Sequence, residues 1–175
     1  MALTIFLFKV SNLEISKTKH LDDVNIFSLS SKVTFRGACI WSNSVPIENG
    51  IASFLVHGQK PNKLNFHLAS PLLSDDRLQM KFYTIMMKKK KKKKLIGNFE
   101  VLLESLIDRK MIDLLDENLS DPNNYLLQTT LQMKLYYVPP NLTNEQTLLH
   151  DEGEFSDWMS SFDDNDGHTY SKHDR

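Results

Sequence analysis

The sequence predicts an all-β fold, an antiparallel β-sandwich of about eight strands with one short helix and a disordered acidic tail. Three observations carry that expectation. Short apolar segments repeat along the chain with side chains alternating at period two, as half-buried strands require. Clusters of Gly, Pro, Asn, Asp and Ser separate them at short intervals. Only Glu104–Leu115 changes to a helical period, and the segment after Pro140 is acidic and poor in aliphatic residues. At 175 residues the chain is long enough for one well-cored domain, 1–140, plus a tail, 141–175.

Taken in chain order, Leu3–Val10 places Leu3, Ile5 and Leu7 on one face and Phe6, Phe8 and Val10 on the other, so both faces should be covered. Ser11–Ser31 is mostly polar and reads as a long loop. Lys32–Arg36 alternates with Val33 and Phe35 inward and ends at Gly37, after which Ala38–Trp41 continues as a strand. Pro46, Asn49–Gly50, Gly58 and Pro61 read as turns, with a short strand over Ile51–Val56 between them. Leu64–Leu68 alternates, as does Leu78–Ile85 with Leu78, Met80 and Phe82 facing in. Leu95–Leu103 forms the next strand, with Gly97 as a bulge or tight-packing point. Leu106, Ile107, Lys110 and Met111 fit one face of a short surface helix before a strand near Ile112–Leu115. Asp116–Asn124 reads as a loop, and Leu126–Val138 carries Leu131, Met133, Leu135 and Tyr137 inward until Pro139–Pro140 stops it.

Charge is distributed unevenly. The net charge is −1, yet residues 141–175 carry nine acids and two bases and residues 1–140 a net of +6. Lys88–Lys94, seven consecutive lysines, supplies that excess. Adjacent ammonium groups repel and resist burial, so the run should be a solvated loop seeking anionic partners; as a homopolymer it also reads as plain low-complexity sequence. Cys39 is the lone cysteine, which excludes an intrachain disulfide and suits a reducing, cytoplasmic compartment. The apolar opening is short and lacks a basic leader, and no stretch reaches the roughly 18 apolar residues of a membrane span.

MALTIFLFKVSNL, SSKVTFRG, LQMKFY, KLIGNFEVLL and LLQTTLQMKLYYV stand here in the order seen in a C2 domain. Together they resemble the N-terminal C2 domain of otoferlin-type ferlins over most of 1–138. Ser11–Ser31 is longer than the corresponding loop, and Ser42–Lys63 departs from the pattern. The resemblance implies a C2-type β-sandwich and a role in calcium-linked membrane fusion and vesicle traffic. Full-length ferlins carry several such domains and a C-terminal membrane anchor, so this single anchorless domain is expected to be a fragment, an isoform or a degenerate relative.

Calcium needs six to eight oxygen ligands, which C2 domains gather from loop aspartates. The loop matching the richest supply, Thr84–Lys94, contains no acid. Asp22 and Asp23 sit in the first loop and Asp75 and Asp76 in a turn elsewhere, and they read as solvated acids. No metal or other cofactor is expected. The six histidines lack ligand spacing, and no nucleophile elbow, phosphate loop or dinucleotide fingerprint occurs, so the chain reads as a non-enzyme.

Three functional classes remain. A peripheral module would bind anionic membrane lipids at the cytosolic face through Met86, Met87, Lys88, Lys89, Lys90, Lys91, Lys92, Lys93 and Lys94, the methionines entering the headgroups. A protein-interaction scaffold would meet trafficking proteins, with the acidic tail as a ligand for a basic partner. Specific nucleic-acid binding is disfavoured, because the run lacks aromatic residues for stacking and arginines for base edges.

Overall fold

The computed structural model of the chain describes residues 1–13, 27–86, 93–120 and 126–140. Its strands are β1 (Ala2–Ser11), β2 (Phe27–Phe35), β3 (Ala38–Trp41), β4 (Val45–Glu48), β5 (Ile51–Ser53) and β6 (Leu55–Val56). They continue with β7 (Lys60–His67), β8 (Arg77–Met86), β9 (Lys93–Leu102), β10 (Met111–Ser120) and β11 (Leu126–Val138), and α1 (Glu104–Arg109) joins β9 to β10. The strands belong to one compact unit, Met1–Tyr137. A second, Val138–Arg175, lies almost wholly outside the described residues, and with it the acidic tail expected over 141–175.

The all-β expectation holds, but the closure differs from a two-sheet sandwich. Eight strands in the order β11-β10-β9-β8-β2-β4-β5-β1 close through a β1–β11 pairing into a barrel-like wall. The physical reason is a small hairpin at one corner. β4 takes hydrogen bonds from β2 at Ser28↔Pro46 and Leu29↔Val45, then passes them to β5, which pairs with β1 at Val10↔Ala52. The turn is Asn49–Gly50, with φ of 52° and 74°, the left-handed pair that a tight two-residue hairpin needs. The opposite corner is thinner among the described residues: there Ser120↔Asn98 is the one register pair between β10 and β9, reinforced by Ser120 Oγ donating to Asn98 O at 3.1 Å. β3, β7 and β6 hang on this ring from β2, β1 and β7.

Alternation fills the interior. Leu3, Ile5 and Leu7 of β1 meet Leu29, Val33 and Phe35 of β2, Leu78, Met80 and Phe82 of β8, and Leu131, Met133, Leu135 and Tyr137 of β11. Each fully buried side chain of this size contributes about 1.5–3 kcal/mol from removing apolar surface from water. Phe6 and Phe8, on the other face of β1, are also buried, as a strand apolar on both sides requires. α1 adds Leu106 to the core and stops where Lys110 turns left-handed, φ 64°, its N–H bonding Leu106 O at 2.9 Å.

Several boundaries move. Phe27–Ser31, expected within the first loop, is strand, because Leu29 enters the core and the segment pairs with Phe82–Met86. Residues 14–26 lie outside the described set. Pro46 and Pro61, expected in turns, are each the second residue of a strand, β4 and β7, near a strand start where a missing N–H is tolerated. Ile51–Val56 divides into β5 and β6 around the buried Phe54. Asp116–Ser120 continues β10 instead of looping, with register shifts that carry Leu119 inward. Met111 is likewise strand and not helix.

Candidate functional site

β8 and β9 form an antiparallel hairpin whose upper pairs are Ile85↔Lys93, Thr84↔Lys94 and Tyr83↔Leu95. Of the expected lipid-binding residues, Lys93 and Lys94 therefore belong to β9 and not to a loop, and both are exposed. Met86 ends the backbone of β8. Met87, Lys88, Lys89, Lys90, Lys91 and Lys92 lie outside the described residues. The register shifts between Phe82↔Gly97 and Tyr83↔Leu95, leaving Ile96 as the extra residue beside the glycine where a bulge was expected.

Strand alternation then fixes what shares the outer face. With Leu29, Val33, Met80 and Phe82 inward, their neighbours Ser30, Lys32, Lys81 and Tyr83 point out. Lys32 stands opposite Lys81 across β2–β8 and opposite Trp41 across β2–β3, while Ser30 stands opposite Tyr83. Trp41 and Tyr83 meet across Ser30 with ring centroids 5.4 Å apart and planes tilted 44°. The Lys93 ammonium reaches over the indole, 3.9 Å from the centre of the Trp41 ring. Trp41 stays 41% exposed, whereas Ser30 beneath it is buried and its hydroxyl has no hydrogen-bond partner among the described residues.

Lys32, Lys81 and Lys93 thus share one region of the outer wall with two aromatic rings, while Lys94, paired with Thr84, has the opposite parity. Lys32 and Lys81 are like charges directly opposite, a destabilising arrangement that a bound anion relieves. Neither has a carboxylate partner among the described residues. Lower on the same face the charge is balanced, where Arg77 Nη1 meets Glu100 Oε1 at 2.8 Å. The lysine run drew attention to Lys93 and Lys94. Lys32, Lys81, Trp41 and Tyr83 carried no local signal beyond their outward places in alternating strands, and only the pairing register unites them.

The turn bearing Asp75 and Asp76 sits at the other end of β8, about 30 Å away along ten residues of strand. Asp76 is not a solvated acid there. Its carboxylate accepts Arg36 Nη2 at 2.6 Å, Arg36 Nε at 3.1 Å and the Leu73 N–H at 2.7 Å. The Arg36 hydrogen bonds hold the Asp76 carboxyl below its usual range, against an opposing push from burial. Asp22 and Asp23 lie outside the described residues; among those described, no three His, Cys, Asp or Glu side chains gather to hold a metal. No described helix is long and apolar enough to cross a membrane. His67 is exposed at the end of β7.

No protein-family profile and no curated protein matches the sequence. Solved structures do match in shape. A C2 domain-containing protein from a putative elicitor-responsive gene superposes with a TM-score of 0.55 at 14% identity, over 82% of this chain and 93% of that one. A calcium-bound structure of the C2A and C2B domains of Extended-Synaptotagmin 2 gives 0.57 at 15%, over 87% and 51%. Its SMP–C2A–C2B structure gives 0.56 at 14%, over 86% and 30%. The chain therefore spans about half or less of the two synaptotagmin chains. At these identities the likeness concerns architecture, and the fold of this protein is that of a C2 domain.

Proposed function

We propose that this chain is a ferlin-like C2 module, not an enzyme, that binds anionic phospholipid membranes peripherally and without calcium in vesicle traffic or membrane fusion. It would work at the cytosolic face, beside trafficking proteins. The observation that carries the reading is the outer face of β3, β2, β8 and β9, where Lys32, Lys81 and Lys93 lie together around Trp41 and Tyr83. Each lysine near an anionic surface contributes about 1 kcal/mol, and rings at the headgroup level supply apolar contact. In sequence, Lys88–Lys92 continue the lysine run immediately before Lys93. Calcium independence rests on the acid-free sequence of Thr84–Lys94.

Flotation with phosphatidylserine vesicles tests this. Lys88–Lys94 replaced by serine, and separately Lys32→Gln with Lys81→Gln, should each weaken binding, and the combination should abolish it at physiological salt. A chelator should change nothing. Unchanged flotation of the combined variant contradicts the membrane reading and leaves the domain as a protein-interaction scaffold.

A further inference from the structure

The corner formed by Trp41 and Tyr83 already holds a cation, the Lys93 ammonium, 3.9 Å from the indole centre. Aromatic faces attract ammonium groups through their quadrupole, and most strongly on tryptophan. A lysine ammonium is compact and strongly hydrated, so it gives up hydration to sit there. A quaternary ammonium has no N–H to leave unsatisfied and meets the rings at lower cost. One strand away stands the opposite preference. Lys32, cross-strand from Trp41, faces Lys81 without a carboxylate partner among the described residues. Ser30, only 4% exposed beneath the rings, carries a hydroxyl with no partner among them. A cation-accepting corner and an anion-accepting pair are thus neighbours on one face, Lys32 directly cross-strand from Trp41 and Lys81 two residues from Tyr83 along β8.

We infer that this face holds a phosphocholine headgroup. Trp41 and Tyr83 take the trimethylammonium in place of Lys93, while Lys32 and Lys81 take the phosphate. The two charges of phosphocholine are joined through an ester oxygen and two carbons, a short span that suits groups presented by neighbouring residues of one face. The inference rests on the reading of this face as membrane-facing and adds to it a zwitterionic lipid class. Lys93 has opposite effects on the two lipids: it competes for the choline position and attracts anionic headgroups.

The test uses the full chain carrying Trp158→Phe, so that Trp41 alone reports by fluorescence. Soluble phosphocholine should shift its emission saturably, and phosphoethanolamine should do so at several-fold higher concentration or not at all. Lys93→Ala should tighten phosphocholine by about two- to fivefold, the worth of one exposed cation–π contact, and weaken flotation with phosphatidylserine. Trp41→Leu should abolish flotation with pure phosphatidylcholine vesicles, and Trp41→Phe, which keeps a ring, should retain part of it. Circular dichroism confirms that each variant is folded. Equal responses to phosphocholine and phosphoethanolamine, or weaker phosphocholine binding by Lys93→Ala, overturn the inference. A trimethyl-lysine peptide that binds more tightly than phosphocholine overturns the lipid assignment. Failure of the unsubstituted face to bind phosphatidylserine strikes the membrane reading alone, since the soluble titration needs no vesicle.

Discussion

Arg36 serves two structural needs that conflict. It occupies the first position of the β2–β3 turn with φ 47°, followed by Gly37 at 79°, a conformation that suits Asn or Gly better than a long side chain. Its guanidinium, however, ties down the turn before β8 by bonding Asp76, Ser70 O and Oγ, and Pro71 O. Charge-assisted bonds outweigh a turn preference, so Arg36→Asn should destabilise the domain despite relieving the backbone. Asp76→Asn should cost about 2 kcal/mol at pH 7, measured by urea unfolding. Arg36 depresses the Asp76 carboxyl in the folded state. Its contribution is therefore full above the unfolded carboxylate pKa and lost as pH falls through the lower folded value. The gap between wild type and Asp76→Asn should close as pH drops below about 4. A gap unchanged down to acid unfolding would show that the ion pair is not its source.

At the scale of elements, the two corners of the wall differ in strength. β2 and β8 share a nine-residue register, whereas among the described residues β9 and β10 pair only at Ser120↔Asn98. Native-state hydrogen exchange should find the amides between β2 and β8 protected to near the global limit and those facing the β9–β10 seam exchanging far faster. Uniform protection round the ring would contradict so thin a seam. The long alternating strands were legible in sequence because a single buried face stamps period two on them: Val33 and Phe35, Leu78 to Phe82, Leu131 to Tyr137. What escaped was short or paired across distance. Ser28–Ser31 has a polar composition and becomes strand only because β8 lies beside it. The four residues of β4 and three of β5 are too few to show a period, yet they turn two expected sheets into a closed wall. β10 hides its strand because its register shifts break the alternation over Asp116–Ser120.

At the scale of the whole molecule, charge and aromatic groups gather on one outer face, while the Arg36–Asp76 anchor secures the far end of β8. Half of this was readable from the chain. Seven adjacent lysines announce themselves, but Trp41 and Tyr83 stand 42 positions apart in sequence and meet only through the β3–β2–β8 register. An electrostatic attachment should weaken steeply between low and high salt, as screening shortens the reach of exposed charges. Vesicle affinity insensitive to salt would assign the binding to apolar insertion instead. The orientation itself is the central claim, and quenching by lipids brominated near the headgroup reads it directly. In anionic vesicles, Trp41 of the Trp158→Phe chain should be quenched. A tryptophan placed by Leu73→Trp, at the exposed turn beyond the other end of β8, should not be, in a chain also carrying Trp41→Phe and Trp158→Phe. Quenching at position 73 with none at Trp41 would show that the membrane meets the opposite end of the domain.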